Sequence, residues 1–308
     1  MNSNKRGLVI FIAMLLVVVI AAGLSGQTPN EPFILGDSIA VVNVVGTIEE
    51  SGDTYNHQWF LNTIDDLMTD PSNQGILLYI DSPGGTVYES DEAYLKLMDY
   101  KTYTGRPIYA AIAHYGASGA YYIAAAADEI YANRNSLTGS IGVIMGSSVD
   151  MTELMNKLGI KMTTFHAGAN KNMLSIDEPL TEEQSAIMQS ILDECYDQFV
   201  KIIADSRDMS TDTIRSLADG RIYTAQQAAD NGLIDGVISY EDTLYKLLDD
   251  TSVPYGNVYF YSYKRSSSLI DDILSWKTTL TGRKAASPLE DLSKALTPLR
   301  GPAYLYQF

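Results

Sequence analysis

A chain of 308 residues with 46% hydrophobic residues can bury a sizeable core, as one large domain or two small ones. Its formal net charge of −17 is unevenly spread: residues 1–6 carry +2, residues 251–308 carry seven Lys or Arg against four Asp or Glu, and residues 7–250 hold the remaining −22. Such an acidic body excludes nucleic acid and anionic membrane faces as its partners, since both need clustered cations, and a single cysteine, Cys195, excludes an intrachain disulfide.

Residues 8–24 are an unbroken apolar run that, at about 1.5 Å per residue, spans roughly 26 Å and can cross a bilayer. Lys5 and Arg6 before it favour a cytoplasmic N-terminus. The expected organisation is a cytoplasmic stub (1–6), a transmembrane anchor (7–24), a Gly-, Pro-, Asn- and Ser-rich tether (25–37), a body (38–250) and an extension (251–308). A cleaved secretory signal is the alternative for the apolar run, and either reading places the body outside the cytoplasm, at the cell membrane if the anchor is kept.

The body alternates strands with helices. Residues 39–48 are a β-branched, buried-type strand interrupted at Gly46, and a helix over 58–68 is stopped by Asp70-Pro71. A short apolar strand at 76–80 breaks at the turn 81–85 before a helix over 88–98. The next strand is 108–113; Ser118 then opens an alanine-rich helix, 129–132 is a short strand, and 138–143 is a glycine-flanked turn into another β-like run. Residues 151–158 read as helix and 160–165 as strand. Thr181 and Gln184 form a capping box for a long helix to about Asp205. Short helices over 210–217 and 224–231 follow, the second closed by Gly232, and Cys195 falls in the long amphipathic helix as a small core hydrophobe. This alternation predicts an α/β fold with largely parallel, buried strands. Past Asp250, residues 258–263 are aromatic and strand-like, 264–302 polar, and 303–308 apolar.

Two turns carry candidate chemistry. In residues 116–122, GASGAYY, a serine lies between small residues where strand passes into helix; such a turn presents the Ser118 hydroxyl, and N–H groups at a helix start can hold a developing oxyanion. One βα unit earlier, the glycine pair of DSPGG (81–85) exposes backbone N–H groups that suit an anion or oxyanion cradle. A serine hydroxyl needs a base before it is a nucleophile. The three histidines are His57 in an early linker, His114 four residues before the serine, and His166 after a predicted strand. A triad with His114 or His166 is arithmetically possible. A lysine is the other candidate, since one kept neutral by burial or neighbouring positive charge accepts a proton without a third carboxylate; Lys171, in the loop 167–180, stands in suitable chain order.

The stretches VVGTI (44–48), YIDSPGG (79–85), ASGAYYIAAAADEIYA (117–132), LTGSIGVI (137–144), AGANK (167–171) before PLTEEQ (179–184), and ADGRIYTAQQAADNGLIDGV (218–237) resemble, in this order, the short form of the signal peptide peptidase A family, within the Clp protease and crotonase fold group. The resemblance implies repeated β-β-α units and a serine–lysine dyad, with Ser118 at the nucleophile position and Lys171 at the general base. It also aligns Gly119 and Gly85 with oxyanion positions and Ser140 with a serine that orients the lysine. It implies membrane-anchored homo-oligomers that cleave peptides, including remnant signal peptides, with dyads assembled from neighbouring subunits in short members. It implies no cofactor and no metal.

The chain departs from the family pattern at Ala120, where glycine is usual, at His166-Ala167-Gly168 in place of Lys-Ser-Gly, and at Asn172 in place of aspartate. These departures bear on substrate preference. Two other function classes fit parts of the pattern: a crotonase-like acyl-thioester enzyme, which uses similar glycine turns without the serine–lysine pair, and a non-catalytic membrane scaffold. The basic extension is expected to dock on an acidic surface of its own or a neighbouring body. Ala303, followed by Tyr304 and Leu305, resembles a cleavable, substrate-like segment, which would place that docking near the active site.

Overall fold

Consecutive aliphatic residues suit strands covered on both faces. Three such runs, β1 (Ser38–Val45), β2 (Asn73–Ser82) and β4 (Ile108–Ala117), pair in parallel as the centre of a sheet. The computed structural model describes residues 36–146 and 148–265 and the backbone of Ala303–Leu305, so the expected anchor (7–24) and nearly all of the tether lie outside the described residues. Among the described residues no helix is long and apolar enough to cross a membrane.

Alternate side chains of the central strands feed two cores. Ala40, Val42, Val44, Ile76, Leu78, Ile80, Ala110 and Ile112 join one core, whereas Ile39, Val41, Leu77, Tyr109 and Ala111 join the other. The larger core is covered by α1 (His57–Thr69), α2 (Val87–Thr104), α3 (Gly119–Ala124) and the C-terminal part of α5 (Glu182–Arg207), through Phe60, Leu97, Tyr121 and Phe199 among others. The smaller is covered by α8 (Tyr240–Thr251), through Leu244, Leu247 and Leu248. Helices α4 (Thr152–Leu158), α6 (Thr211–Leu217) and α7 (Ala225–Asp230) complete the body.

The sheet runs β7-β6-β4-β2-β1-β9, with β5 (Glu129–Ala132) on β4 and β8 (Gly236–Val237) on β5. β9 (Val258–Tyr261) closes the far edge, and β7 (Ile222–Thr224) is antiparallel to β6 (Leu137–Gly139). Strand β4 has two successive neighbours on one edge: Tyr109 to Ile112 pair with β5, and Tyr115 to Ala117 with β6. Its end therefore emerges between β6 and β2, where Gly116 lies opposite Ser82. A mixed α/β body with a largely parallel, buried sheet is what the alternating pattern predicted.

Several local expectations need correction. His57 is not in a linker: it opens α1, is buried, and its Nε2 lies 2.8 Å from Glu92 Oε2. The helix expected over 88–98 runs on to Thr104, because Gly105 is the first position to turn left-handed, at φ 67°. Residues 160–165 form no strand; each is exposed, Phe165 to 94%, and a strand without a neighbour leaves its backbone groups unpaired. The β-like run expected after Gly139 is absent because Ser140, at φ 51°, turns the chain so that its N–H donates to Arg221 O (2.8 Å). Cys195 is half-buried and not in the core; burial, then the charge of Glu194, pushes its thiol up.

Leu78 is fully buried at the centre of the sheet. Leu78→Ala should cost about 3 kcal/mol of unfolding free energy, read as a lower urea midpoint at unchanged slope.

Candidate active site

Two backbone segments meet closely at the glycine turn after β2. Ser82 is buried, its Oγ accepts from Gly84 N (3.1 Å), and Gly84 takes φ 100° to start β3 (Gly84–Thr86). Ile48 N donates to Gly84 O and Thr86 N donates to Ile48 O, each at 2.9 Å. A Cβ on Gly85 would sit 1.8 Å from Ile48 O, so no other residue fits there without moving the backbone. Successive residues of a strand direct their backbone groups to opposite edges. With Gly84 and Thr86 committed to Ile48, the Gly85 N–H points away from Ile48.

Ser118 stands where β4 gives way to α3. Its backbone holds φ 57° and ψ −121°, a region that L-residues rarely adopt. Three contacts enforce it: Ser118 N donates to Gly139 O (2.7 Å), Tyr122 N donates to Ser118 O (2.9 Å), and all of α3 is buried. A strained serine at a strand-to-helix turn, held on both sides, is a sign of a functional position. The Gly119 N–H that follows has no acceptor within the helix, as at every helix start. Ala120 is fully buried, so its methyl group packs in the core behind the serine. Ser118 Oγ makes no hydrogen bond among the described residues.

The structure thus brings four of the expected site residues into one neighbourhood. β3, carrying Gly85, lies against α3, which begins at Gly119 beside Ser118. Ser140 follows Gly139, the acceptor of the Ser118 N–H, and is itself buried. It opens onto a cavity of about 560 Å³ lined also by Val143, Asp193, Tyr196 and Asp219.

Lys171 is not brought to them. It is exposed in a turn after Gly168, its N–H donates to Gly168 O (3.1 Å), and its Nζ makes no hydrogen bond or ion pair among the described residues. The histidines are elsewhere too. His114 pairs with Asp81 (2.9 Å) on an exposed strand end, His57 is held by Glu92, and His166 bonds its ring to Gly168 O (3.1 Å) in the exposed loop. Among the described residues no cluster of His, Cys, Asp or Glu could hold a metal ion.

Residues 101–253 match the model of peptidase family S49. A putative signal peptide peptidase SppA of Enterococcus faecium is 36% identical over 283 residues, covering 87% of this chain and 80% of that one. The chain belongs to peptidase family S49. A putative protease of Methanocaldococcus jannaschii is 36% identical over 212 residues, 69% of this chain and 67% of its own. The chloroplastic serine protease SPPA of Arabidopsis thaliana is 28% identical over 250 residues, 78% of this S49 chain but 36% of the plant protein. Among solved structures, a mutant ClpP1 of Listeria monocytogenes covers 66% of this chain and 94% of its own at TM-score 0.44 and 16% identity.

One element of this site is not legible in the sequence. Ile48, whose backbone closes one edge of β3, reads there only as the end of a strand run and of a matching stretch, because nothing local shows that residue 48 meets residue 85.

The strain at Ser118 gives a stability prediction independent of catalysis. Ser118→Gly should be about 1 kcal/mol more stable than Ser118→Ala, since glycine relieves the backbone and alanine keeps the Cβ. Denaturant unfolding of the two variants checks it, and an equal or lower midpoint for the glycine variant contradicts it.

Proposed function

We propose that this S49 chain is a membrane-anchored serine endopeptidase whose dyad is Ser118 and Lys171, the lysine being supplied by a neighbouring copy. The observation that carries this reading is the serine held at φ 57° beside the glycine turn, in a chain that belongs to a peptidase family. Ser118 Oγ attacks the peptide carbonyl, Lys171 accepts its proton and returns it to the leaving amine, and the N–H groups of Gly119 and Gly85 stabilise the oxyanion. Ser140 orients the lysine amine. Water then hydrolyses the acyl-serine ester by the reverse proton path. Membership in a peptidase family favours this reading over the acyl-thioester and scaffold alternatives.

A neighbouring copy is favoured by the character of the arm that carries Lys171. From residue 142 to residue 198 no described residue is buried, while Val149, Leu154, Leu158, Ile160, Met162 and Phe165 are exposed apolar side chains. Asn172 Nδ2 is shielded from water with no hydrogen-bond partner among the described residues. A segment without a core gains too little to offset its conformational entropy, and buried donors without acceptors are costly. A second copy of the chain supplies both surface and partners. The run 7–24 would anchor the assembly with the body outside the cytoplasm, where peptides left in the membrane, such as signal-peptide remnants, are the substrates.

Ser118→Ala and Lys171→Ala should each lower peptide hydrolysis at least about a thousandfold, and mixing the two inactive variants should restore part of it through mixed interfaces. Full activity in Lys171→Ala would sink the dyad. Because a protonated amine cannot accept the serine proton, activity should fall as pH falls, and a flat acid limb would contradict a lysine base.

A further inference from the structure

The two segments that meet at Gly85 are joined a second time, by side chains. The loop 46–56 carries Ile48, whose backbone closes one edge of β3, and α2 continues directly from β3 at Val87. His57 follows that loop and opens α1, and its backbone N–H donates to Glu50 O (3.1 Å), two residues past Ile48. Its ring is buried, with Nδ1 3.2 Å from Tyr55 Oη and Nε2 2.8 Å from Glu92 Oε2 on α2. The ring therefore ties the far end of the loop to the helix that β3 feeds.

The direction of these bonds follows from burial. Tyr55 is fully buried, and burial, then the charges of Glu89 and Glu92, pushes its phenol up, so it keeps its proton. His57 Nδ1 is the only acceptor that hydroxyl meets among the described residues, and a buried donor without an acceptor is costly. Nδ1 then carries the lone pair and Nε2 the hydrogen, which is donated to Glu92. The bond from His57, then the bond from Tyr88, holds the Glu92 carboxyl below the usual carboxylate range, as suits the accepting end of such a relay. Apolar side chains of similar volume commonly replace buried ionic groups without loss of stability, so what the relay adds is one fixed geometry.

We propose that His57 is a positioning residue for the oxyanion site: the Tyr55–His57–Glu92 relay fixes the end of the loop, hence Glu50 and Ile48, and so the aim of the Gly85 N–H. This rests on the Ser118 peptidase reading above, in which that N–H stabilises the oxyanion. A donor acts on the developing charge only from about 2.7–3.1 Å, so a small displacement of β3 is felt far more in the transition state than in the binding of the substrate.

The test uses the full chain, with Ser118 sites counted by a serine-directed phosphonate so that rates are per active site. His57→Leu, which keeps the bulk and removes both bonds, should lower kcat for peptide hydrolysis about tenfold to a hundredfold with KM within about twofold. It should weaken a reversible peptide aldehyde by the same factor, since the aldehyde's adduct with Ser118 carries the oxyanion. His57→Gln, whose amide N–H stands in for the Nε2 donor, should recover most of the loss. Glu92→Ala, at the partly exposed end of the relay, should reproduce the split between kcat and KM and carries the test if the leucine variant does not fold. Unchanged kcat in either variant, a loss confined to KM, or a glutamine variant as slow as the leucine one overturns the proposal and leaves the peptidase reading standing. An unsubstituted chain that neither hydrolyses peptide nor takes the phosphonate at Ser118 overturns that reading and this inference with it.

Discussion

The contact between Ile48 and Gly85 is the constraint on which the rest of the site depends. Two hydrogen bonds of 2.9 Å tie Ile48 to both neighbours of Gly85, and the backbones come so close that a Cβ has no place. The consequence is directional. One edge of β3 is saturated by Ile48, and the backbone groups of Gly85 are left for whatever lies on the other edge. A residue with a side chain would push Ile48 away and lose both the bridge and the aim of the N–H. The glycine is therefore required by packing.

Ser118 is held by a different device with the same logic. The end of β4 is gripped by β6 on one side and by β2 on the other, and the first turn of α3 is buried against the core. These surroundings over-determine a backbone conformation that costs of order 1–3 kcal/mol at a non-glycine residue. The large parallel core, built from both faces of β1, β2 and β4, is what can sustain that cost. The rigid part of the candidate site thus belongs to the folded body, and the arm from residue 142 to residue 198, which carries Lys171, has no buried residue among those described.

The chain's own residues show why some features are legible in the sequence and others are not. Short-range signals survive well. The capping box at Thr181 and Gln184, the strand break at Gly46, the aliphatic strand runs and the helix-closing Gly232 are each properties of a few adjacent residues, and the structure has them where the sequence places them. Signals that need a neighbour fail or stay mute. Residues 160–165 have strand-like composition but no strand beside them, and His57 reads as part of a linker because its partner Glu92 is 35 positions away in sequence. Ser140 and Gly139 look like an ordinary turn into a strand, and the antiparallel visit of β7 makes them a corner instead.

The sequence alone determined that the body is an acidic α/β unit with largely parallel strands, that Ser118 opens a helix between small residues, and that a glycine pair precedes it by one βα unit. These follow from period, composition and turn chemistry, which act over a few residues. Only the tertiary structure decided that Ile48 closes one edge of Gly85, that Ser118 is strained and fastened to Gly139, that Lys171 lies apart on an exposed arm, and that Tyr304 faces Gly85. Each of these joins residues far apart in the chain, and backbone hydrogen bonding between such segments depends on where the whole fold brings them, which no local pattern encodes.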